Sequence, residues 1–358
     1  MGRPRAGATV TAGVLLLLFG LTVVSWMIYD FEFAEVGPGK FLQGLFDPRV
    51  YAGPELFGPQ IWAMTVVLLT VGILAAAQRP GARGGALVAA WVMLAVSARE
   101  LTGLAKSDGF RAMYMRGSDL EVVVVTTWVA AVLISVTVLI MLMLPDPDAP
   151  APVPGGPQAV GGALLLFLGA VAVAWIVRLL ASDTYSLSTE DYFHHLADAS
   201  FQNSVVIGGT PMVYDAVFAL ALLVLGALAL TGRAAARGGA VTLAAVLLYL
   251  AVREMIGLSL GGGASLDDAA MAGRYPGWSD VGQTTEGKLS LATTVGQAVL
   301  CVVVIIVMTA AGRRGATSPP TGIRRTPTWA GSVDRRDTGK PVGHGRPPTG
   351  QARVGGGH

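Results

Sequence analysis

The sequence predicts an all-α polytopic membrane protein, with eight transmembrane helices arranged as two tandem four-helix repeats and followed by a disordered basic C-terminal tail. Three observations carry this. Of 358 residues, 53% are hydrophobic and only 13% charged, and the mean hydropathy is +0.60, far outside soluble usage. Eight apolar stretches, near 12–29, 60–77, 84–104, 122–144, 160–180, 212–231, 239–260 and 290–311, match the length needed to cross about 30 Å of hydrocarbon as helix. And the chain repeats itself.

The run at 12–29 follows Arg3 and Arg5 as the core of a secretory signal would. No A-x-A cleavage site comes after it, however, and Trp26 and Tyr29 sit where an interfacial aromatic belt belongs. A copy of the run occurs later in the chain, so it is read as a span.

The clearest repeat sets "RGGALVAAWVMLAVSARELTGL" from Arg83 against "RGGAVTLAAVLLYLAVREMIGL" from Arg237 without a gap, 154 residues apart. The pairs Arg83/Arg237, Arg99/Arg253, Glu100/Glu254 and Gly103/Gly257 include charges that an apolar composition does not supply by chance. The first and fifth spans match through Gly13/Gly162, Gly20/Gly169 and Trp26/Trp175. Each unit has an even number of spans, so both copies point the same way, related by a pseudo-two-fold axis along the membrane normal.

The expected organisation is therefore a first four-helix repeat over 1–144, a Pro-rich cytoplasmic linker over 145–159, a second repeat over 160–311 and the tail over 312–358. The tail is rich in Gly, Pro and Arg with almost no aliphatic residues, a composition that cannot bury a core. Its basic pairs suit anionic lipid head groups.

Basic residues set the orientation. With the N-terminus inside, Arg3, Arg5, Arg79, Arg83, Arg233, Arg237, Arg313 and Arg314 are cytoplasmic, and most acids, among them Asp30, Asp47, Glu190, Asp191 and Asp198, fall on the opposite face. The expected location is the cell (inner or plasma) membrane, multi-pass, with both termini cytoplasmic. The single cysteine, Cys301, excludes an intrachain disulfide and a cysteine-based metal cluster.

Two sets of residues are candidates for function. Arg99, Glu100, Arg253 and Glu254 lie inside spans, where an ionised group costs about 2.5–3.5 kcal/mol at the centre and less near an interface. Sequence neighbours point about 100° apart on a helix, so each member of a pair is expected to seek a partner on another helix. Arg99 and Gly103 share a stripe at i, i+4 with Ala95, and Arg253 and Gly257 share one with Tyr249. A Gly one turn from the Arg lets a neighbouring backbone come close.

The second set lies in "STEDYFHHLADAS", 188–200. Ser188 followed by Asp191 fits a capping box opening a short surface helix. Asp191 with His195, and His194 with Asp198, each at i, i+4, suit a metal such as Zn or Cu, although each stripe supplies one His and one Asp and a complete site needs further ligands.

"GQTTEGKL", 282–289, has the spacing of a phosphate loop, but Leu289 stands where Ser or Thr would bind Mg²⁺ and no strand precedes it. No other catalytic or haem-ligand pattern is present. These readings favour a non-enzymatic integral membrane subunit acting as scaffold or assembly partner of a membrane complex. The alternatives are a carrier or channel for a small solute or ion using the duplicated Arg-Glu pairs, and a membrane enzyme with an outer-face His/Asp metal site. The expected partners are the lipid bilayer, other membrane subunits and anionic lipid at the tail, with no nucleic acid.

Overall fold

A computed structural model describes residues 3–33, 37–48, 58–115, 121–144, 156–181, 188–201, 211–261 and 281–317. The chain divides into Met1–Thr317 and Ser318–His358, and the second unit lies wholly outside the described residues. So do most of the Pro-rich linker and most of the tail.

All regular elements among the described residues are helical. They are α1 (Arg3–Phe33), α2 (Pro38–Phe46), α3 (Pro59–Ala76), α4 (Ala82–Lys106), α5 (Asp108–Met115), α6 (Glu121–Met143), α7 (Gly156–Ala181), α8 (Thr189–Ala197), α9 (Pro211–Leu230), α10 (Ala234–Leu260) and α11 (Thr285–Thr317), with a 3-10 turn at Ala199–Phe201 after α8. Eight of them, α1, α3, α4, α6, α7, α9, α10 and α11, are long and apolar enough to cross a membrane. In hydrocarbon every backbone polar group must be satisfied within its own segment, and these apolar runs do that as helix. The chain is thus a multi-pass membrane protein by the length and composition of its helices.

Two helices run past the expected boundaries. α7 begins at Gly156, inside the linker expected over 145–159, because Pro157 falls in the first helical turn, where no N–H is needed. α11 runs to Thr317, past the tail boundary at 312. A formed helix extends readily.

The spans form two four-membered rings. In the first half α1 packs on α3, α3 on α4, α4 on α6, and α6 closes on α1. In the second half α7 packs on α9, α9 on α10, α10 on α11, and α11 closes on α7. α4 and α10 form the seam between the rings, flanked by α3 against α10 and α4 against α9. Leu133 and Ile140 of α6, Phe167 of α7 and Ile306 of α11 are exposed, the expected state of a lipid-facing surface.

Small residues allow close backbone approach where rings and seam are tightest. In the α1/α3 pair a Cβ on Gly72 would lie 2.9 Å from the Leu17 nitrogen. In the α7/α9 pair a Cβ on Gly162 would lie 2.9 Å from the Gly226 oxygen, and one on Gly226 equally near the Gly162 oxygen. At the seam a Cβ on Gly84 would run into the Ala235 carbonyl, and one on Gly238 into the Gly81 carbonyl.

Hydroxyls inside the spans mostly bond back to their own helix. Thr22 donates to the Leu18 carbonyl at 3.1 Å, Thr65 to Ile61 at 2.8 Å and Thr137 to Leu133 at 2.7 Å, which satisfies their protons within the helix.

The turns after α3 and α9 have the same form. Arg79 N donates to the Leu74 carbonyl at 2.8 Å and Arg233 N to the Leu228 carbonyl at 3.1 Å, each closing the helix through a left-handed residue. That residue is Gly232 at φ 77° in one turn and Gln78 at φ 53° in the other. A residue with a Cβ costs about 1–2 kcal/mol there. Gln78→Gly is therefore expected to raise, and Gly232→Ala to lower, the melting temperature of the purified protein. Gly238→Ala, which places a methyl against the Gly81 carbonyl, should lower it further than either change at a turn.

Candidate functional site

Each repeated arginine donates to a backbone carbonyl of another helix, two at each end of the bundle, and for Arg83, Arg99 and Arg253 that carbonyl lies at a helix end. Arg83, near the start of α4, donates to the last carbonyls of α6: Nε to Leu142 at 3.0 Å and Nη2 to Leu144 at 3.1 Å. Arg237, at the same place on α10, donates to Ala311 of α11 at 3.4 Å. Arg83 and Arg99 are sixteen residues apart on α4, about 24 Å along the axis, so Arg99 sits at the opposite end of the span.

There the connections cross the seam. Arg99 Nε donates to the His195 carbonyl at 2.7 Å, so an arginine of the first half holds α8 of the second. Arg253 donates to the Gly44 carbonyl from Nη2 at 3.2 Å and Nε at 3.4 Å, so an arginine of the second half holds α2 of the first. His195 and Gly44 are each the third residue from the end of their helix. A cation there meets a nearly free carbonyl and the negative end of the helix dipole.

The two crossings differ in their supports. On α4, Gly103 lies one turn beyond Arg99, and a Cβ on it would sit 2.8 Å from the Ser200 nitrogen. Lys106 Nζ then bridges to Asp198 Oδ2 at 3.3 Å. One stripe of α4 thus fastens the whole segment from α8 through the 3-10 turn. On α10 the support comes one turn earlier, where the Tyr249 hydroxyl donates to the Leu45 carbonyl at 2.8 Å.

The carboxylates differ more. Contrary to the expectation from Cβ directions, Arg99 and Glu100 bond each other: Nη1 donates to Oε1 at 3.0 Å, with both side chains almost fully buried. The long Arg side chain folds around the helix, which a rule on Cβ directions does not register. Glu254 instead lies within electrostatic range of the Thr294 hydroxyl on α11 and of Asp215, the fifth residue of α9. Among the described residues no Arg or Lys forms an ion pair with Asp215 or Glu254. Asp215 was open to a sequence reading as an acid at the head of an apolar run, and was missed.

Around Arg99, Tyr214 is 3% exposed and within electrostatic range of Glu100 and Arg99. Tyr192 of α8 is likewise buried, its hydroxyl has no hydrogen-bond partner among the described residues, and burial followed by the Asp215 charge raises its pKa. His195 is held below its usual 6.5, first by burial and then by the Arg99 charge, against a smaller opposing effect of Asp191.

The four residues expected to hold a metal go separate ways. Asp191 Oδ2 accepts from the Ser188 hydroxyl at 2.7 Å, and Ser188 in turn accepts from the Asp191 N–H at 3.0 Å, capping α8. His194 Nε2 lies 3.7 Å from Glu190. Asp198 Oδ1 accepts from the Ser200 N–H and hydroxyl. Burial would raise the Asp198 carboxyl, but the Ser200 bonds and then Lys106 outweigh it and hold it low. Among the described residues no three of His, Cys, Asp or Glu converge on a point where a metal could sit.

The loop that imitates a phosphate site is a helix start, where Thr284 Oγ1 accepts the Gly287 N–H at 2.9 Å. Arg178 lies over the Trp175 ring, 5.7 Å from its centre, and 3.5 Å from Glu286. In the first half the corresponding pair is Trp26 and Tyr29, packed edge to face.

Arg99→Ala is expected to speed amide exchange in α8, and Arg253→Ala in α2, each in the opposite half. The first also leaves Glu100 buried without its cation, about 3–5 kcal/mol, against about 1–2 kcal/mol for a lost helix-end contact. The depressed His195 pKa means that folding favours neutral imidazole. That stability is complete above the unfolded value near 6.5 and is lost as pH falls through the folded value. Melting temperature should drop over that range, and His195→Gln should flatten the drop. No family model, curated protein or solved structure matches this chain.

Proposed function

We propose that the protein is a non-enzymatic integral membrane subunit, a scaffold or assembly partner, built by tandem duplication of a four-helix unit. The observation that carries this reading is the crossed pair of arginines. The charges that an active site would use are spent on architecture, fixing α2 and α8 with Leu42, Phe46 and Phe193 turned outward. Duplication is supported by the matched rings, the matched turns at Gln78 and Gly232, and the matched arginines at both ends. The even number of spans per unit puts the pseudo-two-fold along the membrane normal. The arginine-rich end carrying Arg79, Arg83, Arg233 and Arg237 faces the cytoplasm of a cell membrane, with both termini on that side and the basic tail beside anionic lipid. α2 and α8 then lie on the opposite face.

Native mass spectrometry of protein released gently from its own membranes tests the reading. A stoichiometric protein companion that dissociates when Phe46 and Phe193 are changed to Ser is the expected outcome. Substrate turnover by the purified chain alone would sink it.

One observation favours a second reading, a carrier or channel for a small solute or ion. Glu254, Asp215 and Thr294 are polar groups within spans that the arginines do not engage, and intramembrane carboxylates of this kind mark ion and proton paths. Glu254→Gln should then abolish flux in proteoliposomes while the protein still folds, and unchanged flux would exclude that role.

A further inference from the structure

We propose that α2 and α8 are embedded in the bilayer leaflet at their end of the bundle, and that the exposed side chains of Leu42, Phe46 and Phe193 meet the acyl chains of that leaflet. The inference goes beyond the scaffold reading and does not rest on it. It adds one thing, that a companion docking at Phe46 and Phe193 must itself be membrane-embedded.

Two spans stop short where these helices lie. A Cβ on Gly85 of α4 would lie 3.0 Å from Val71 Cγ2 of α3, which sets the register of the two helices. From that level α4 continues for twenty-one residues to Lys106, about 32 Å, whereas α3 extends only twelve to its start at Pro59, about 18 Å. In the second half a Cβ on Gly239 of α10 would lie 2.7 Å from Leu225 Cδ2 of α9. From there α10 runs twenty-one residues to Leu260 and α9 fourteen to Pro211, about 32 Å against about 21 Å. α3 thus ends about 14 Å, and α9 about 10 Å, short of the helix beside it. α2 and α8 lie over these two heads. The Phe41 ring packs on that of Trp62, the fourth residue of α3, at 4.5 Å, and α8 packs on α9 and α4.

Counting about 30 Å of hydrocarbon from Arg83 and Arg237 at the far end, about twenty residues of helix, puts its boundary near Gly103 and Gly257. Arg99 and Arg253 lie four residues inside that level and Tyr249 eight, about 6 Å and about 12 Å. The C-terminal ends of the short helices are fastened at this depth, His195 to Arg99, Gly44 to Arg253 and Leu45 to Tyr249. The Phe46 ring lies 6.4 Å from that of Tyr249, and a helical side chain leans toward the N-terminus of its own helix, here toward the bilayer centre. α8 is the shallower of the two. The turn after it reaches Gly103 at the boundary, and the exposed Glu190 and His194 lie 3.7 Å from each other.

The crossed arginines supply the independent observation. A helix that ends in water needs no side chain for its last carbonyls, because water bonds them, whereas one that ends in hydrocarbon must find donors within the protein. Both short helices find them on spans of the opposite half, and Arg99 is almost fully buried in giving its bond. The outward face suits the same surroundings. Leu42 is 59%, Phe46 54% and Phe193 60% exposed, large apolar side chains that bury themselves in acyl chains at this depth.

Single spin labels on the full chain in nanodiscs test the placement. Cys301, which is fully buried, is changed to Ala, and labels are attached to Phe46→Cys and Phe193→Cys. Leu133→Cys, exposed within the α6 span, is the lipid reference, and Asp108→Cys, at a side chain 94% exposed, the aqueous one. The ratio of collisions with oxygen to collisions with a soluble nickel chelate is expected to be severalfold higher in Phe46→Cys and Phe193→Cys than in Asp108→Cys, on the side of Leu133→Cys. A ratio in either variant equal to that of Asp108→Cys overturns the inference and leaves a water-facing surface for a soluble partner. Few collisions with either reagent overturn it as well, because protein, a second copy of this chain, then covers the face. The companion sought by native mass spectrometry is read separately, so either result stands or falls without the other.

Discussion

A guanidinium placed at the C-terminal end of a helix is the interaction on which the rest of this structure depends. Four times a repeated arginine donates to a helix carbonyl, Arg83 and Arg237 within their own halves and Arg99 and Arg253 across the seam. The bond solves two problems together. It provides an acceptor for a cation inside or at the edge of the bilayer, and for Arg83, Arg99 and Arg253 it occupies carbonyls that a helix end leaves open. The glycines of the seam bring α4 and α10 together at the other end, beside Arg83 and Arg237.

On the proposed duplication, the two halves differ at a few corresponding positions. Ala95 corresponds to Tyr249, and the tyrosine adds a second bond to the end of α2. Lys106 and Asp198 add an ion pair at the end of α8. With α2 held by two residues of α10, and α8 by three positions along α4, equal sequence motifs reach the same architectural result by different supports. The carboxylates differ as well, since Arg99 bonds its neighbouring glutamate whereas Arg253 gives both its bonds to the Gly44 carbonyl.

Much of the fold was legible because lipid imposes so simple a rule. A run of apolar residues of spanning length has one available backbone conformation, so span number followed from hydropathy alone. The Arg99-to-Gly103 spacing also carried meaning, and α4 uses that stripe to meet the segment after α8. Other features had no signature to read. α2 is nine residues long with no side-chain cap, too short for periodicity to establish. The acceptors of Arg99 and Arg253 are backbone carbonyls, which every residue has, so no pattern of side chains could name them. The Arg99–Glu100 bond escaped because a rule on where Cβ atoms point ignores how far an arginine can bend.

The crossing of the arginines also constrains how such a molecule can be divided. A single four-helix unit carries an arginine whose acceptor belongs to the other unit, and a surface helix whose fastening belongs there too. Expressed alone, it would have both halves of the exchange unsatisfied. Two identical copies would satisfy both at once, since each would give an arginine and receive one, the self-complementary arrangement of a two-fold homodimer. On the proposed duplication, the seam corresponds to a dimer interface carried within one chain, and fusion frees the two copies to change separately, which a homodimer cannot do.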